Sequence, residues 1–151
     1  MVFKVEAVGV VKSRIKDRRR FASNNLESQI IIDPAYEKAL DGIDSFSHIV
    51  VVFWLHKIRK EERSITKVHP FRNRDLPLKG VFATRSPVRP NPIGITAVKL
   101  LKRKGNVLSV QGLDAIDGTP VLDIKPYIKE QFDNTEVAMP GWLKKGRELS
   151  T

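Results

Sequence analysis

"FSHIVVVFWLH", residues 46–56, is the stretch whose reading decides the fold class. β-Branched and aromatic side chains dominate it, polar clusters bound it, and its apolar run, Ile49 to Leu55, has strand length. That is the composition of a central strand, and a central strand needs neighbours. Upstream, residues 2–11 alternate Val, Phe and Val with polar partners, and "SQIIID" (28–33) reads as another strand. "PAYEKALDGI" (34–43) is a short helix opened by proline and stopped by Gly42. Downstream, 79–84 and 93–103 are strands on either side of a proline-rich loop. "KGN" (104–106) is a tight turn that folds "VLSVQGL" (107–113) back, and "VLDI" (121–124) is a last short strand.

Seven short strands and one brief helix make the chain mainly β. Strands and helices do not alternate, which excludes a doubly wound parallel sheet. The expected architecture is a small closed or nearly closed antiparallel β-barrel with one or two short helices, because closure removes exposed strand edges. The barrel domain is expected over 1–135. A basic C-terminal tail, 136–151, follows, with Pro140-Gly141 as a break and Trp142 as an anchor.

The chain has 151 residues, enough for one domain with a real core. No apolar run approaches the 18 or so residues of a membrane span. The opening "MVFKVEAVGVV" lacks the pattern of a secretory signal, so a cytoplasmic protein is expected. There is no cysteine, which rules out disulfides and thiolate metal sites. Charge is more informative: 27 Lys and Arg against 17 Asp and Glu give a net +10. Such a balance favours polyanionic partners, nucleic acid above all. "KSRIKDRRR" (12–20) and "HKIRKEERSITKVHPFRNR" (56–74) concentrate it, although either could be a solvated loop.

Metal chemistry is not indicated. His48 and His56, on one strand, would stand about 26 Å apart at 3.3 Å per residue, and zinc needs three or four ligands together. Neither GxxxxGK[ST] nor GxGxxG after a strand is present, and no nucleophile elbow is found.

Two polar segments remain. In "GVFATRSPVRPNPIG" (80–94), Pro87, Pro90 and Pro92 stiffen a loop that carries Arg85, Arg89 and Asn91 as donors. Arginine forks match carboxylate or phosphate, and Gly94 lets the backbone turn or approach a ligand closely. The alternative is an arginine paired with a nearby acid at a proline corner. In "LDAIDGTPVLDIKPY" (113–127), Asp117 could serve chemistry or merely cap the "DGTP" turn. Asp123, Lys125 and Tyr127 are spaced by two, so an extended chain shows them on one face, as a polar site or as an exposed ion pair.

Together these segments closely resemble the signatures of the TrmO family, also called TsaA-like or YaeB-like, of S-adenosylmethionine-dependent tRNA N6-methyltransferases. "VGVVKS" (8–13) and "GIDSFSHIVVVFWLH" (42–56) match it in the same order, to about residue 130. The resemblance implies a β-barrel methyltransferase, working as a homodimer, that methylates N6 of threonylcarbamoyladenosine at position 37 of tRNA, beside the anticodon loop. It implies S-adenosyl-L-methionine as cofactor, held by His56, Lys57, Arg85, Ile95, Leu113, Asp114, Ala115 and Ile116. Asp117 or Asp123 would act as base, with Lys125 and Tyr127 orienting the acceptor. Arg89, Asn91 and the basic run Arg18, Arg19 and Arg20 would bind substrate. Two other readings stay open: a non-catalytic RNA- or nucleoside-binding barrel, and a methyltransferase acting on another RNA. The family's Gln-Pro-Gly-like turn after the first strand is replaced here by "DRRRFASNNLESQ" (17–29).

Overall fold

A computed structural model of the protein describes residues 1–17, 25–133 and 136–148; Arg18, Arg19 and Arg20 lie outside the described residues. Along the chain run β1 (Gly9–Lys12), β2 (Glu27–Ile32), β3 (His48–Trp54), β4 (Lys67–Val68), β5 (Lys79–Gly80), β6 (Ile93–Lys104), β7 (Val107–Gln111), β8 (Pro120–Pro126) and one α-helix, α1 (Gly141–Glu148). Among the described residues no helix is long and apolar enough to cross a membrane. The chain divides into two compact units: Met1–His56 with Ile93–Tyr127, and Lys57–Pro92 with Ile128–Thr151.

The first unit is a closed barrel in the order β1-β2-β7-β6-β3-β8, with β8 returning to β1 and every pairing antiparallel. The expected barrel is therefore observed, and the run at 46–56 lies inside it as β3, hydrogen-bonded on both sides to β6 and β8. Alternation fills the interior. Ile49, Val51 and Phe53 of β3 meet Ile30 and Ile32 of β2, Leu108 and Val110 of β7, Val98 of β6 and Val121 of β8. Each of these side chains recovers about 1.5–3 kcal/mol of transfer free energy on burial. One residue too many in β8, between the partners of Val52 and Phe53, makes a bulge that helps the sheet curl. A second bulge lies between Leu100 and Lys102 of β6.

Three local expectations change. Residues 2–8 carry a strand pattern, but the strand begins at Gly9, and Val2, Phe3 and Val5 are exposed. Pro34 turns β2 aside straight after Asp33, so the ladder bonds end at Val8, which accepts the Asp33 N–H and donates to Val121 O, both at 2.8 Å; Asp33 caps the turn through the Ala35 N–H at 2.9 Å. The helix expected over 34–43 is a 3-10 helix, Pro34–Leu40, and Gly42, at φ 86°, opens another 3-10 turn, Ile43–Ser45. Arg103 clamps this corner by donating to the carbonyls of Leu40 and Gly105, both at 3.0 Å. The strand expected over 79–84 stops at Gly80.

That last segment belongs to the second unit, where β4 and β5 form a two-stranded sheet. The Val81 N–H donates to Thr66 O at 2.9 Å, and Val81–Ala83 then curls into a 3-10 turn. Thr84 closes it by donating its hydroxyl and its N–H to Val81 O. In the same unit α1 packs on the turn Pro70–Arg72: the Phe71 ring lies where a side chain on Gly146 would stand, at 2.2 Å from an added Cβ. The basic tail thus contains a helix with a defined seat.

Candidate functional site

Topology gathers one set of residues at one end of the barrel. β3 finishes there, β6 starts there, and the β7–β8 connection crosses there, so His56, Ile95 and Leu113–Ile116 all lie at that end. The connection is held at both flanks. The Gly112 N–H donates to Leu26 O at 3.0 Å, the Asp117 N–H to Ile15 O at 2.7 Å and the Gly118 N–H to Val11 O at 2.8 Å. Thr119, buried, donates its hydroxyl to Ile116 O at 2.7 Å. Gly118 adopts φ 77°, a left-handed turn that most side chains resist.

Between these anchors Leu113, Ala115 and Ile116 bury their side chains, so a ligand outside would meet mainly backbone and the exposed Asp114. Among the described residues no hydrogen bond uses the N–H groups of Leu113, Asp114 or Ala115. The Asp114 carboxylate accepts the hydroxyl of Thr96, the neighbour of Ile95, which fixes the connection against β6.

Asp117 is committed. Its carboxylate accepts the Ser13 N–H at 2.9 Å and pairs with Lys16 at 2.5 Å. The Lys16 hydrogen bond first, and the Ser13 N–H next, hold its pKa below the ordinary carboxylate value. A lowered carboxyl pKa stabilises the fold above the unfolded value, and that contribution is lost as pH falls through the folded one. We therefore expect the anchoring of this connection to be constant from neutral pH down to about pH 4 and to fade below it. An NMR titration of the Asp117 carboxyl checks this, and Asp117→Asn should abolish the acid step in amide exchange at 112–119.

Asp123 and Lys125 face outward on β8 and form an ion pair at 2.8 Å. Directly paired residues share a face, so Asp123, Val52 and Ile95 make one row across the outer wall, about 10 Å from end to end at the usual strand spacing. Tyr127 continues that side: its N–H donates to His48 O at 3.1 Å and its ring lies 6.3 Å from the His48 ring. The spacing by two thus grouped Asp123, Lys125 and Tyr127, and Asp117 stands apart from them.

In the second unit, the proline-rich loop separates its two arginines. Arg89 donates to the carbonyls of Thr84 and Ser86, both at 3.0 Å, and so braces the loop from within. Arg85 is exposed, and among the described residues no hydrogen bond or ion pair engages its guanidinium. Asn91 and Lys57 are exposed as well. Gly94, at the start of β6, serves packing: an added Cβ would stand 2.4 Å from the ring of Phe53, its partner across the ladder. Sequence reading missed Thr96 and Lys16; a hydroxyl beside Ile95 and a lysine far from Asp117 in sequence gave no local signal. Among the described residues no cluster of three or more His, Asp or Glu is placed to hold a metal ion.

The family model described as "tRNA-methyltransferase O N-terminal domain" matches residues 12–134. A "Probable S-adenosyl-L-methionine-binding protein" of Methanothermobacter thermautotrophicus is 46% identical over 86% of this chain and 93% of its own length. One of the same description from Archaeoglobus fulgidus is 39% identical over 99% of this chain, which spans 40% of that relative. A mouse "tRNA (adenine(37)-N6)-methyltransferase" is 48% identical over 62% of this chain and 21% of its own. A crystal structure of TrmO superposes with a TM-score of 0.75 and 30% identity, over 94% of this chain and 64% of that one.

Proposed function

Since the chain belongs to the tRNA-methyltransferase O N-terminal domain family, we propose that it transfers a methyl group from S-adenosyl-L-methionine to N6 of adenosine 37 in tRNA. The acceptor is the threonylcarbamoyl-modified base in the anticodon loop, and the enzyme works in the cytoplasm as a homodimer. Ile93, exposed on the outer wall of β6, offers apolar surface for a second copy.

One observation carries the reading: the β7–β8 connection is bolted at both flanks, and the N–H groups of Leu113, Asp114 and Ala115 make no hydrogen bond among the described residues. A preorganised strip of backbone suits the edge of an adenine, and its ordering cost is met before the ligand arrives. His56 and Ile95 complete the barrel's contribution to the cofactor. Arg85 and Lys57 supply cationic donors, Arg85 as the fork for the cofactor's carboxylate. Arg89 holds the loop's shape, while Asn91 and the run Arg18, Arg19 and Arg20 bind the RNA substrate.

The cofactor supplies an electrophilic methyl on a sulfonium, and N6 displaces the sulfur in line, leaving the thioether. Bringing N6 and the methyl carbon together supplies most of the acceleration. The N6 nitrogen is urea-like and its proton must leave. Asp123, in the same row as Ile95, accepts it, with Lys125 and Tyr127 orienting the acceptor. Asp117, held by Lys16 and the Ser13 N–H, anchors the connection instead.

Mass spectrometry of nucleoside 37 in bulk tRNA tests this, in a strain lacking the gene and in one with this chain restored. Restoration of the methylated nucleoside, lost again with Asp123→Asn, is the expected result. Unchanged tRNA together with saturable heat on titrating S-adenosylmethionine would redirect the enzyme to another acceptor. Absence of that heat would leave an RNA-binding barrel.

A further inference from the structure

Phe82 is 80% exposed, although the residue before it, Val81, is buried. A large aromatic ring left in water on a flexible loop would need no account. This one stands on a turn fixed by the Thr84 hydroxyl and N–H at Val81 O, followed by Ser86 N–H to Thr84 Oγ1 and Val88 N–H to Ser86 Oγ, both at 3.2 Å. Arg89 backs the ring, its guanidinium carbon 6.0 Å from the ring centroid. The same guanidinium is tied to two loop carbonyls, so backing and ring are held as one piece.

We propose that Phe82, backed by Arg89, is a stacking platform for an unpaired nucleobase of the RNA substrate. The proposal rests on the RNA reading above and adds the element that grips a splayed base. Single-stranded bases are recognised by stacking on aromatic rings and arginine planes, with cations nearby for the phosphates. The segment 57–92 has ten Lys and Arg against three Asp and Glu, which suits a nucleotide and not an apolar protein partner. Ala83, Thr84, Arg85 and Ser86 follow the ring, so no apolar side chain larger than alanine adjoins it on that side in sequence.

The test uses the full chain, a tRNA anticodon stem–loop and S-adenosylmethionine. Phe82→Ala should weaken stem–loop binding about tenfold, within the range known for one lost stacking contact. Because no phosphate contact is removed, the salt dependence of binding should keep its slope. Cofactor affinity and molecular mass by light scattering should not change, and Phe82→Trp should restore binding. Equal stem–loop affinity in Phe82→Ala overturns the proposal. So does a loss confined to cofactor affinity, which would assign the ring to the cofactor, or a change of mass, which would assign it to a protein contact. Wild-type chain that methylates tRNA while Phe82→Ala binds normally refutes the platform alone. Wild-type chain that binds through Phe82 without methyl transfer refutes the enzymatic reading and leaves the platform standing.

Discussion

Phe53→Ala is expected to cost about 3–5 kcal/mol of folding stability, a large part of the 5–15 kcal/mol that a domain usually has. The ring is 2% exposed, belongs to the barrel core and lies over Gly94 on the neighbouring strand. Its removal leaves a void bounded on one side by bare backbone, which cannot collapse to fill it. Gly94→Ala should cost about 1–3 kcal/mol for the opposite reason, since the new methyl must push the ring aside. The two substitutions should not add. With the ring gone, the methyl at 94 enters space that is already empty, so the double variant should be more stable than the sum of the single losses predicts. Urea denaturation with unchanged m-values measures this, and strict additivity would mean that the ring does not lie on Gly94.

Arg85→Ala is expected to raise the Kd for S-adenosylmethionine about 10- to 100-fold, the usual loss when a charge-assisted hydrogen-bonding pair is removed. The thermal midpoint should stay where it is, because the guanidinium is tied to nothing among the described residues. Arg89→Ala should do the reverse. It releases the Thr84 and Ser86 carbonyls and loosens the loop, so amide protection across 84–92 falls. Arg85→Lys should recover little, since a single ammonium cannot reproduce a planar fork. Calorimetry on the three variants separates the roles. Equal cofactor affinity in Arg85→Ala and wild type would remove Arg85 from the site.

The barrel was legible because its signals are local. β3 announces itself by a run of β-branched residues, and the β6–β7 hairpin by a glycine turn at φ 60°. That Asp123 and Lys125 share a face follows from strand periodicity; that this face is the outer one depends on the bulge after Val121. What stayed hidden depends on partners distant in the chain. Residues 2–7 carry a strand's pattern past the last ladder bonds, those of Val8, and propensity cannot report a missing neighbour. The segment 81–84 looks extended until the Thr84 hydroxyl closes on Val81 O. α1 was obscured by Pro140-Gly141, read as a break; within it Gly146 is needed because the Phe71 ring occupies the place of a side chain. Gly94 was read as a turn or a close approach to a ligand; the approach is that of the Phe53 ring, which sequence alone does not name. The Lys16 partner of Asp117 was not legible, because a carboxylate in a turn gives no hint of a lysine at position 16.

The ladder between β3 and β6 runs unbroken to the pair Trp54 and Ile93, the rung at which the chain departs as 55–92 and returns. Both ends of that excursion are thus pinned to adjacent strands of a wall that is complete without it. Closing such an excursion costs chain entropy that grows only slowly, about 0.6 kcal/mol for each doubling of its length. The rungs of that ladder are therefore set by the two strands themselves, whatever sequence the chain carries between them.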